Sequence, residues 1–235
     1  MKPYPKWQYD EMKQSGVDYT DLFEVEAYDV RMQKLRDVQK EAEEIIKCVG
    51  LTSSQVLLEF GTGTGELAIA SAKQCSKVIA VDVSPTMLEY AKQKAKHQGI
   101  GNIEYCHAGF LTYEHDGNPL DVVVSQLALH HLPDFWKLVA LKKISSMLKK
   151  DGKFYLRDTV YSFDIDTYGE FFNTWINGIK QAAGEELAKD TEMAISDEFS
   201  TCDWIMEGLL KRAGFEIERK EYYRGFLAVY VCTKP

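Results

Sequence analysis

A glycine-rich turn directly follows a short apolar run in this chain, and together they set narrow limits on the fold. The run Val56-Leu57-Leu58-Glu59-Phe60 predicts a buried strand, and Gly61, Gly63 and Gly65 come after it. Glycines allow the backbone to bend sharply and let a ligand approach the main chain closely. Asp82 ends the next predicted strand, where a carboxylate can accept hydrogen bonds from a ribose diol. Taken alone, these features also describe a dinucleotide-binding α/β fold.

Strands and helices alternate along residues 31–158, which predicts a mostly parallel sheet with crossover helices on both faces. Ser84 and Pro85 fit the N-cap and the first turn of one of these helices. Strands are predicted over 56–60, 77–83, 102–107, 121–126 and 153–158, with a turn at 151–152. Helices are predicted over 31–49, 66–74 and 136–149, and from residue 85 onward.

The C-terminal end departs from this alternation. A helix is predicted over 203–213, followed by strands over 216–222 and 227–233. The short gap between the two strands cannot hold a parallel crossover, so they must form an antiparallel hairpin. The sequence therefore predicts a single α/β domain over 1–235, with a mostly parallel seven-stranded sheet that ends in this hairpin.

Two aromatic-rich segments, 1–30 and 159–200, lie outside the alternation. The second follows a strand whose carboxyl end should face the ligand crevice. We predict that both form a lid over a cofactor-binding core at 31–158, while 201–235 supplies the last helix and the hairpin. The alternative is that they are extra helices on the sheet edge. Six aromatic residues are candidates for an apolar or cation-receptive pocket, although such residues also serve as plain core: Trp7, Tyr9, Tyr19, Tyr168, Phe172 and Trp175.

Composition argues against several classes of protein. The chain has 28 Lys and Arg against 36 Asp and Glu, a net charge of −8, which disfavours a nucleic-acid partner. No run approaches the roughly 18 apolar residues of a membrane span, so no membrane partner is expected. Five scattered cysteines without a CxxC pair favour reduced thiols and a cytoplasmic location. No metal site is indicated, and a monomer or homodimer is expected.

The glycine spacing separates two classes of cofactor. A nicotinamide dinucleotide turn has the pattern GxGxxG, whereas Glu66 stands where that pattern requires its third glycine. An anion beside the turn is also poorly placed for a pyrophosphate, which binds at a bare helix N-terminus. The spacing therefore disfavours NAD(P).

Four blocks of the sequence occur in a recognisable order and spacing: the strand and turn at 56–65, Val81-Asp82-Val83-Ser84-Pro85-Thr86-Met87-Leu88, Asp121-Val122-Val123-Val124-Ser125 and Ala128-Leu129-His130-His131-Leu132. In these blocks the chain resembles the class I S-adenosylmethionine-dependent methyltransferases over about residues 35–158, in the style of the ubiquinone and menaquinone methyltransferase branch. The resemblance implies a Rossmann-like methyltransferase fold, into which the final hairpin fits. It also implies transfer of a methyl group from S-adenosyl-L-methionine to a small molecule, with S-adenosyl-L-homocysteine as product.

The resemblance further implies a set of cofactor contacts. The glycine turn would hold the methionine part, and Asp82 the ribose hydroxyls. The family often binds the adenine edge through an Asp after the third strand, but this chain has Ala108-Gly109-Phe110 there. Arg31 is a candidate for the methionyl carboxylate, or else forms a surface salt bridge. The full set of candidates is Tyr28, Arg31, Glu59, Gly61, Thr62, Gly63, Gly65, Asp82, Val83, Met87, Gly109, Phe110, Ser125, Gln126 and Leu127.

Methyl transfer from a sulfonium needs a nucleophile aligned behind the methyl carbon, so most of the acceleration should come from proximity and orientation. His130 and His131 follow the fourth strand, beside the expected methyl position, and imidazole titrates in the useful range. One of them is a candidate base or acceptor-positioning group; alternatively the pair orders the loop. Asp158, at the end of the fifth strand, is a candidate substrate contact or a turn cap.

Two other functions remain open from the sequence. One is a regulatory or scaffold protein that binds S-adenosylmethionine without turnover, because fold and function are separate claims. The other is an NAD(P)-dependent oxidoreductase, which the glycine spacing disfavours.

Overall fold

Strands and helices follow one another in the computed structural model, which describes residues 5–13, 25, 29, 32 and 36–235. The helices are α1 (Val38–Val49), α2 (Glu66–Ala72), α3 (Pro85–His97), α4 (Asp134–Met147), α5 (Tyr168–Ala183), α6 (Glu185–Asp197) and α7 (Asp203–Arg212). The strands are β1 (Val56–Phe60), β2 (Lys77–Asp82), β3 (Ile103–His107), β4 (Leu120–Gln126), β5 (Leu148–Tyr161), β6 (Thr201–Cys202), β7 (Glu216–Tyr223) and β8 (Leu227–Thr233). Short 3₁₀ helices span Leu129–His131 and Ile165–Thr167.

One sheet organises these elements, with the strand order β3-β2-β1-β4-β5-β8-β7. β1 pairs in parallel with β2 and β4, and the β2–β3 and β4–β5 pairs are parallel as well. β8 pairs antiparallel with both β5 and β7. The predicted α/β class, the mostly parallel sheet and the C-terminal hairpin are confirmed.

The sheet differs from the prediction in two details. It has eight strands rather than seven, because the two-residue β6 pairs with Val160 and Tyr161 at the end of β5. The predicted turn at Asp151-Gly152 lies inside β5, with Asp151 at a φ of +62°. The reason is that the backbone at these two residues exchanges hydrogen bonds with Lys234, at 2.8 and 3.0 Å, which extends the strand pairing.

The central strands are buried on both faces, and this explains their near-continuous apolar sequences. Along β4, Val123 belongs to one core layer, and Val122 and Val124 belong to the other. The first layer includes Ile144 of α4, and the second includes Ile45 of α1. The sheet is therefore covered by helices on both sides.

Local signals mark the helix ends. The Ser84 hydroxyl accepts a hydrogen bond from the Met87 backbone N–H at 3.1 Å, with Pro85 in the first turn, as the sequence predicts. Gly50 ends α1 in the left-handed conformation. Among the described residues, none of the helices combines the length and the apolar character that a membrane crossing requires.

The segment 159–200 folds into the end of β5, then α5 and α6. Aromatic side chains of α5 pack on neighbouring rings: Phe171 stacks on Phe163 at 3.8 Å between centroids, and Trp175 stacks on Phe226 at 4.0 Å. Phe226 lies between β7 and β8, so α5 is attached to the turn of the hairpin.

Candidate active site

A cavity of about 360 Å³ lies at the carboxyl ends of the parallel strands, where ligands bind in open α/β sheets. Residues that follow β1, β2, β3 and β4 line one part of it. Residues 9–13, the end of β5, α5 and α6 line the rest. Both segments predicted to form a lid therefore contribute to the walls of this cavity.

Two of the six aromatic candidates line the cavity, namely Tyr9 and Trp175. Trp7 and Tyr168 are largely exposed, at 76% and 61%, and Phe172 packs in the aromatic cluster of α5. Tyr19 lies outside the described residues.

The glycine turn is tied to the end of β2 through a buried carboxylate. The backbone N–H groups of Gly63 and Ser84 each donate to one oxygen of Asp82, both at 2.8 Å. Burial raises the pKa of the Asp82 carboxyl, although these backbone hydrogen bonds oppose the shift. Gly61, Gly63, Asp82, Val83 and Met87 all line the cavity.

The loop after β3 forms another wall of the cavity, and a carboxylate from the N-terminal segment is bound to this loop. Phe110 lines the cavity and stacks on Phe60 at 4.7 Å between centroids. The Glu11 carboxylate, also on the lining, accepts hydrogen bonds from the backbone N–H groups of Leu111 and Thr112 at 2.7–3.0 Å. Gly109 leaves room for it, since a Cβ there would lie 2.4 Å from the Glu11 carboxyl carbon.

A second cavity, of about 60 Å³, lies on the other side of the glycine turn. Its lining includes the buried Glu59, whose carboxylate accepts a hydrogen bond from the Thr62 hydroxyl at 2.8 Å. Burial raises the pKa of Glu59 to about 8, and the nearby Asp82 adds to the shift. Arg36 also lines this cavity; its Nη1 lies 3.4 Å from Glu41 Oε2 in an ion pair, and its Nε is buried without a hydrogen-bond partner in the described part of the chain.

The chain between β4 and the 3₁₀ helix separates the two cavities. Gln126 and Leu127 line both of them. Leu127 has a φ of +50°, and its backbone N–H donates to the Arg157 carbonyl at 2.8 Å. The side-chain oxygen of Gln126 is buried without a hydrogen-bond partner in the described residues, so it is available to a ligand.

A buried histidine, His130, also lines the main cavity. His130 Nδ1 lies 2.5 Å from Asp158 Oδ1, and His130 Nε2 lies 3.3 Å from Glu198 Oε2. Burial acts to lower the pKa of His130, but the charges of Asp158 and Glu198 outweigh it and raise that pKa. Burial and the neighbouring His130 both lower the pKa of His131. Burial raises the pKa of Glu198, against the effect of His130.

The predicted site residues are not all placed on a cavity. Gly65 packs against α3, where a Cβ would meet the Ala91 Cβ at 2.8 Å. Ser125 is fully buried, and Asp158 lies fully buried behind His130. Tyr28 and Arg31 lie outside the described residues. The remaining candidates line one cavity or both: Glu59, Gly61, Thr62, Gly63, Asp82, Val83, Met87, Gly109, Phe110, Gln126, Leu127, His130 and His131.

Several residues that line the cavities were not predicted from the sequence, among them Glu11, Arg36 and Glu198. Each of these three residues lies outside the predicted strands and the glycine turn. Each comes close to the other site residues only when segments distant in sequence pack together. The aromatic character of 1–30 and 159–200 was a signal for two of these segments, but it gave no reason to single out a carboxylate.

Known proteins share this arrangement. A family model described as a methyltransferase domain matches residues 57–152. An uncharacterized methyltransferase from Anoxybacillus flavithermus is 30% identical over 208 residues, which cover 86% of this chain and 92% of the relative. A solved S-adenosylmethionine-dependent methyltransferase from Aquifex aeolicus has a TM-score of 0.65 at 19% identity, covering 92% of this chain and 99% of that chain. Magnesium protoporphyrin IX methyltransferase from Synechocystis, solved with bound S-adenosylmethionine, has a TM-score of 0.63 at 15% identity, covering 98% and 100%.

The sheet order and the solved structures thus define a Rossmann-like α/β methyltransferase fold, with the glycine turn beside the main cavity. The chain belongs to the class I S-adenosylmethionine-dependent methyltransferases. This confirms the predicted enzyme class and cofactor, and it goes against the NAD(P)-dependent alternative.

Proposed function

We propose that this enzyme transfers the methyl group of S-adenosylmethionine to a small-molecule acceptor held inside the main cavity. The observation that carries the proposal is that a single cavity is lined by the glycine turn and Asp82 and also by His130. A volume of about 360 Å³ is in the range of small-molecule sites, roughly 300–1,000 Å³.

The residues around the glycine turn fit the cofactor. The guanidinium of Arg36, whose Nε has no hydrogen-bond partner in the described residues, suits a carboxylate, and Glu59 suits an ammonium, so the smaller cavity matches the amino-acid end of S-adenosylmethionine. Asp82 keeps free lone pairs on both oxygens for a ribose diol. Phe110 and Met87 offer apolar surface to adenine, and Glu11 supplies a carboxylate at that wall. When bound, S-adenosylmethionine supplies an electrophilic methyl group on a sulfonium.

The lining of the main cavity also suits a small acceptor with an apolar or aromatic part. Four apolar or aromatic side chains of the lining come from the two segments predicted to form a lid: Tyr9, Trp175, Leu187 and Ile195. Lys13 is the one Lys or Arg among the described residues that line the main cavity, which does not favour a nucleic-acid substrate.

His130 is proposed to position the reacting atom of the acceptor. Its Nδ1 is held by Asp158, which fixes the orientation of the ring, and its Nε2 lies 3.3 Å from Oε2 of Glu198, another residue of the cavity lining. Orientation of this kind is the main contribution that a methyltransferase requires from its protein. Asp158 would then act through His130, as a positioning residue.

Calorimetric titration with S-adenosylmethionine and S-adenosylhomocysteine, with NADH as the comparison ligand, tests the cofactor part. Wild type should bind the two sulfur nucleosides and not NADH. Asp82→Ala should bind them at least about tenfold more weakly, since a hydrogen bond to a charged group contributes about 1.5–3 kcal/mol. Asp116→Ala removes an exposed carboxylate and should bind like wild type.

The acceptor part is tested with a methyl-labelled donor and a cell extract divided into low-molecular-weight and macromolecular fractions. Label should enter the small molecules, and His130→Asn should reduce its incorporation while S-adenosylhomocysteine binding persists. Label found only in protein or RNA would contradict the proposal, as would full binding by Asp82→Ala.

The remaining parts of the proposal come from composition. We propose a single domain, a monomer or homodimer, and a cytoplasmic location without a membrane partner. All five cysteines are free, which supports a reducing compartment.

A further inference from the structure

Among the described residues, one group of side chains is arranged as metal ligands: His130, His131 and Glu198. We propose that these three bind a divalent transition metal, and that its open coordination position faces the main cavity and receives the hydroxyl or thiol of the methyl acceptor. Two imidazoles and one carboxylate form a common ligand set for catalytic zinc and also suit iron or cobalt. The sequence did not indicate this site because Glu198 lies far along the chain from the histidine pair.

The ligand atoms are already near the separations that a metal requires. Tetrahedral ligands at about 2.0–2.1 Å from zinc are roughly 3.4 Å apart. Glu198 Oε2 lies 3.3 Å from His130 Nε2, and Glu198 Oε1 lies 3.8 Å from His131 Nδ1. All three ligand atoms lie within 4.8 Å of one another, so small side-chain rotations suffice.

One ligand atom also lacks any other partner. His131 Nδ1 is buried and has no hydrogen-bond partner in the described part of the chain. A buried nitrogen lone pair without a partner carries a desolvation cost, which a metal ion would remove.

The surrounding hydrogen bonds hold the ligands in this orientation. Asp158 bonds the Nδ1 of His130, so the Nε2 atom points toward Glu198; such a carboxylate behind a histidine is usual at metal sites. The Phe199 backbone N–H, next to Glu198, donates to the His130 carbonyl at 2.9 Å. The Tyr9 hydroxyl donates to the His131 carbonyl at 3.1 Å. Residues from three separate segments therefore fix the ligand group.

The inference rests on the proposed function and names the class of acceptor. A metal lowers the pKa of a coordinated hydroxyl or thiol, whose proton then passes to solvent. The acceptor oxygen or sulfur uses its electron pair to form the new bond to the methyl carbon. The bond from that carbon to the sulfonium breaks, and its electron pair stays on the sulfur of S-adenosylhomocysteine. His130 thus positions the acceptor through the metal.

The test uses the full chain, freed of metal with a chelator and titrated with Co²⁺ or Zn²⁺ alone. We expect one ion per chain and a visible d–d absorption from Co²⁺ that Zn²⁺ abolishes. Glu198→Gln should weaken Co²⁺ binding at least tenfold, and Asp158→Asn, behind the ligand, by about 10–100-fold. His97→Asn changes an exposed histidine on α3 and should leave binding unchanged. Phenol or mercaptoethanol should shift the Co²⁺ band, because each brings an ionisable ligand to the open position.

Three results would overturn the inference: no stoichiometric Co²⁺ uptake, uptake unchanged in Glu198→Gln and His131→Asn, or an intense sulfur-to-cobalt band in the absence of added thiol, which would place the ion on cysteine. S-adenosylhomocysteine binding by the same preparations separates this result from the proposed function. A variant that binds the nucleoside but not Co²⁺ is folded and supports the site. A wild type that binds the nucleoside but no Co²⁺ defeats only the metal inference.

Discussion

Gly61 and Gly63 have similar left-handed backbones, with φ of +71° and +50°, but different surroundings. A Cβ at Gly61 would lie 2.4 Å from the Ala128 Cβ, so this glycine is needed for the turn to pack against the chain after β4. A Cβ at Gly63 would meet no atom within 4 Å, and Gly63 lines both cavities. The first glycine therefore serves packing, whereas the second leaves space for a ligand.

Gly63→Ala should fold and yet bind S-adenosylhomocysteine about tenfold or more weakly, because its methyl group would occupy that space and an overpacked contact costs about 1–3 kcal/mol. The left-handed backbone should also lower the free energy of unfolding by about 1–2 kcal/mol. Calorimetric titration measures the first effect, and urea unfolding measures the second.

Gly99 provides the matched control for this substitution. It has a φ of +70°, nothing within 4 Å of its Cβ position, and no part in either cavity. Gly99→Ala should therefore lose a similar amount of stability and retain full affinity. If both variants lost affinity equally, backbone strain rather than occupied space would be the cause.

At the scale of elements, the N-terminal segment 5–13 joins two loops of the sheet across the cavity. Glu11 binds the loop after β3, and Tyr9 binds the 3₁₀ helix after β4. Glu11 also occupies the place that a side chain at Gly109 would require. The glycine at position 109 and the carboxylate of Glu11 are thus coupled by packing.

This arrangement predicts that substitutions at Gly109 and Glu11 are not additive. Gly109→Ala should lower the free energy of unfolding by about 1–3 kcal/mol, because it displaces a carboxylate that accepts three backbone hydrogen-bond contacts. In a Glu11→Ala background the same change should cost less than about 0.5 kcal/mol, because nothing remains to be displaced. Urea unfolding of the four proteins gives the coupling. Equal costs in both backgrounds would show that Glu11 does not hold this loop.

At the scale of the whole molecule, the sequence predicts what depends on neighbours along the chain. Apolar runs predict the core strands, since each strand carries its own periodicity. The glycine turn predicts the edge of the sheet at which the main cavity lies. The sequence does not predict contacts between distant segments. Glu198 reaches His130 only after α5 and α6 fold back, and β6 exists only because two residues lie beside Val160. Arg36 lines the smaller cavity without having been a candidate, because the spacing of the motifs does not predict which residues of the segment before α1 face the glycine turn.

The buried ionisable groups make the stability of the whole molecule depend on pH. Burial raises the pKa of Glu59 from 4.5 to about 8, so between these values the folded state binds one more proton than the unfolded state at this group. Stability then falls as pH rises, by up to about 1.4 kcal/mol per pH unit. The raised pKa of His130 acts in the same direction above its ordinary value of 6.5, whereas the lowered pKa of His131 acts oppositely, below 6.5. Between about pH 6.5 and pH 8 the opposing effect of His131 is therefore absent, and the free energy of unfolding should fall as pH rises.

Glu59→Gln should flatten this decline, because an amide keeps an oxygen for the Thr62 hydroxyl but does not titrate. We expect wild type to lose about 1–2 kcal/mol more than the variant between pH 6.5 and pH 8, measured by urea unfolding without ligand. Glu43→Gln, at an exposed position of α1, should keep the wild-type slope. S-adenosylhomocysteine should reduce the wild-type slope, since the proposed ammonium partner would favour ionised Glu59 in the folded state. A variant slope equal to that of wild type would mean that Glu59 is already ionised beneath the glycine turn.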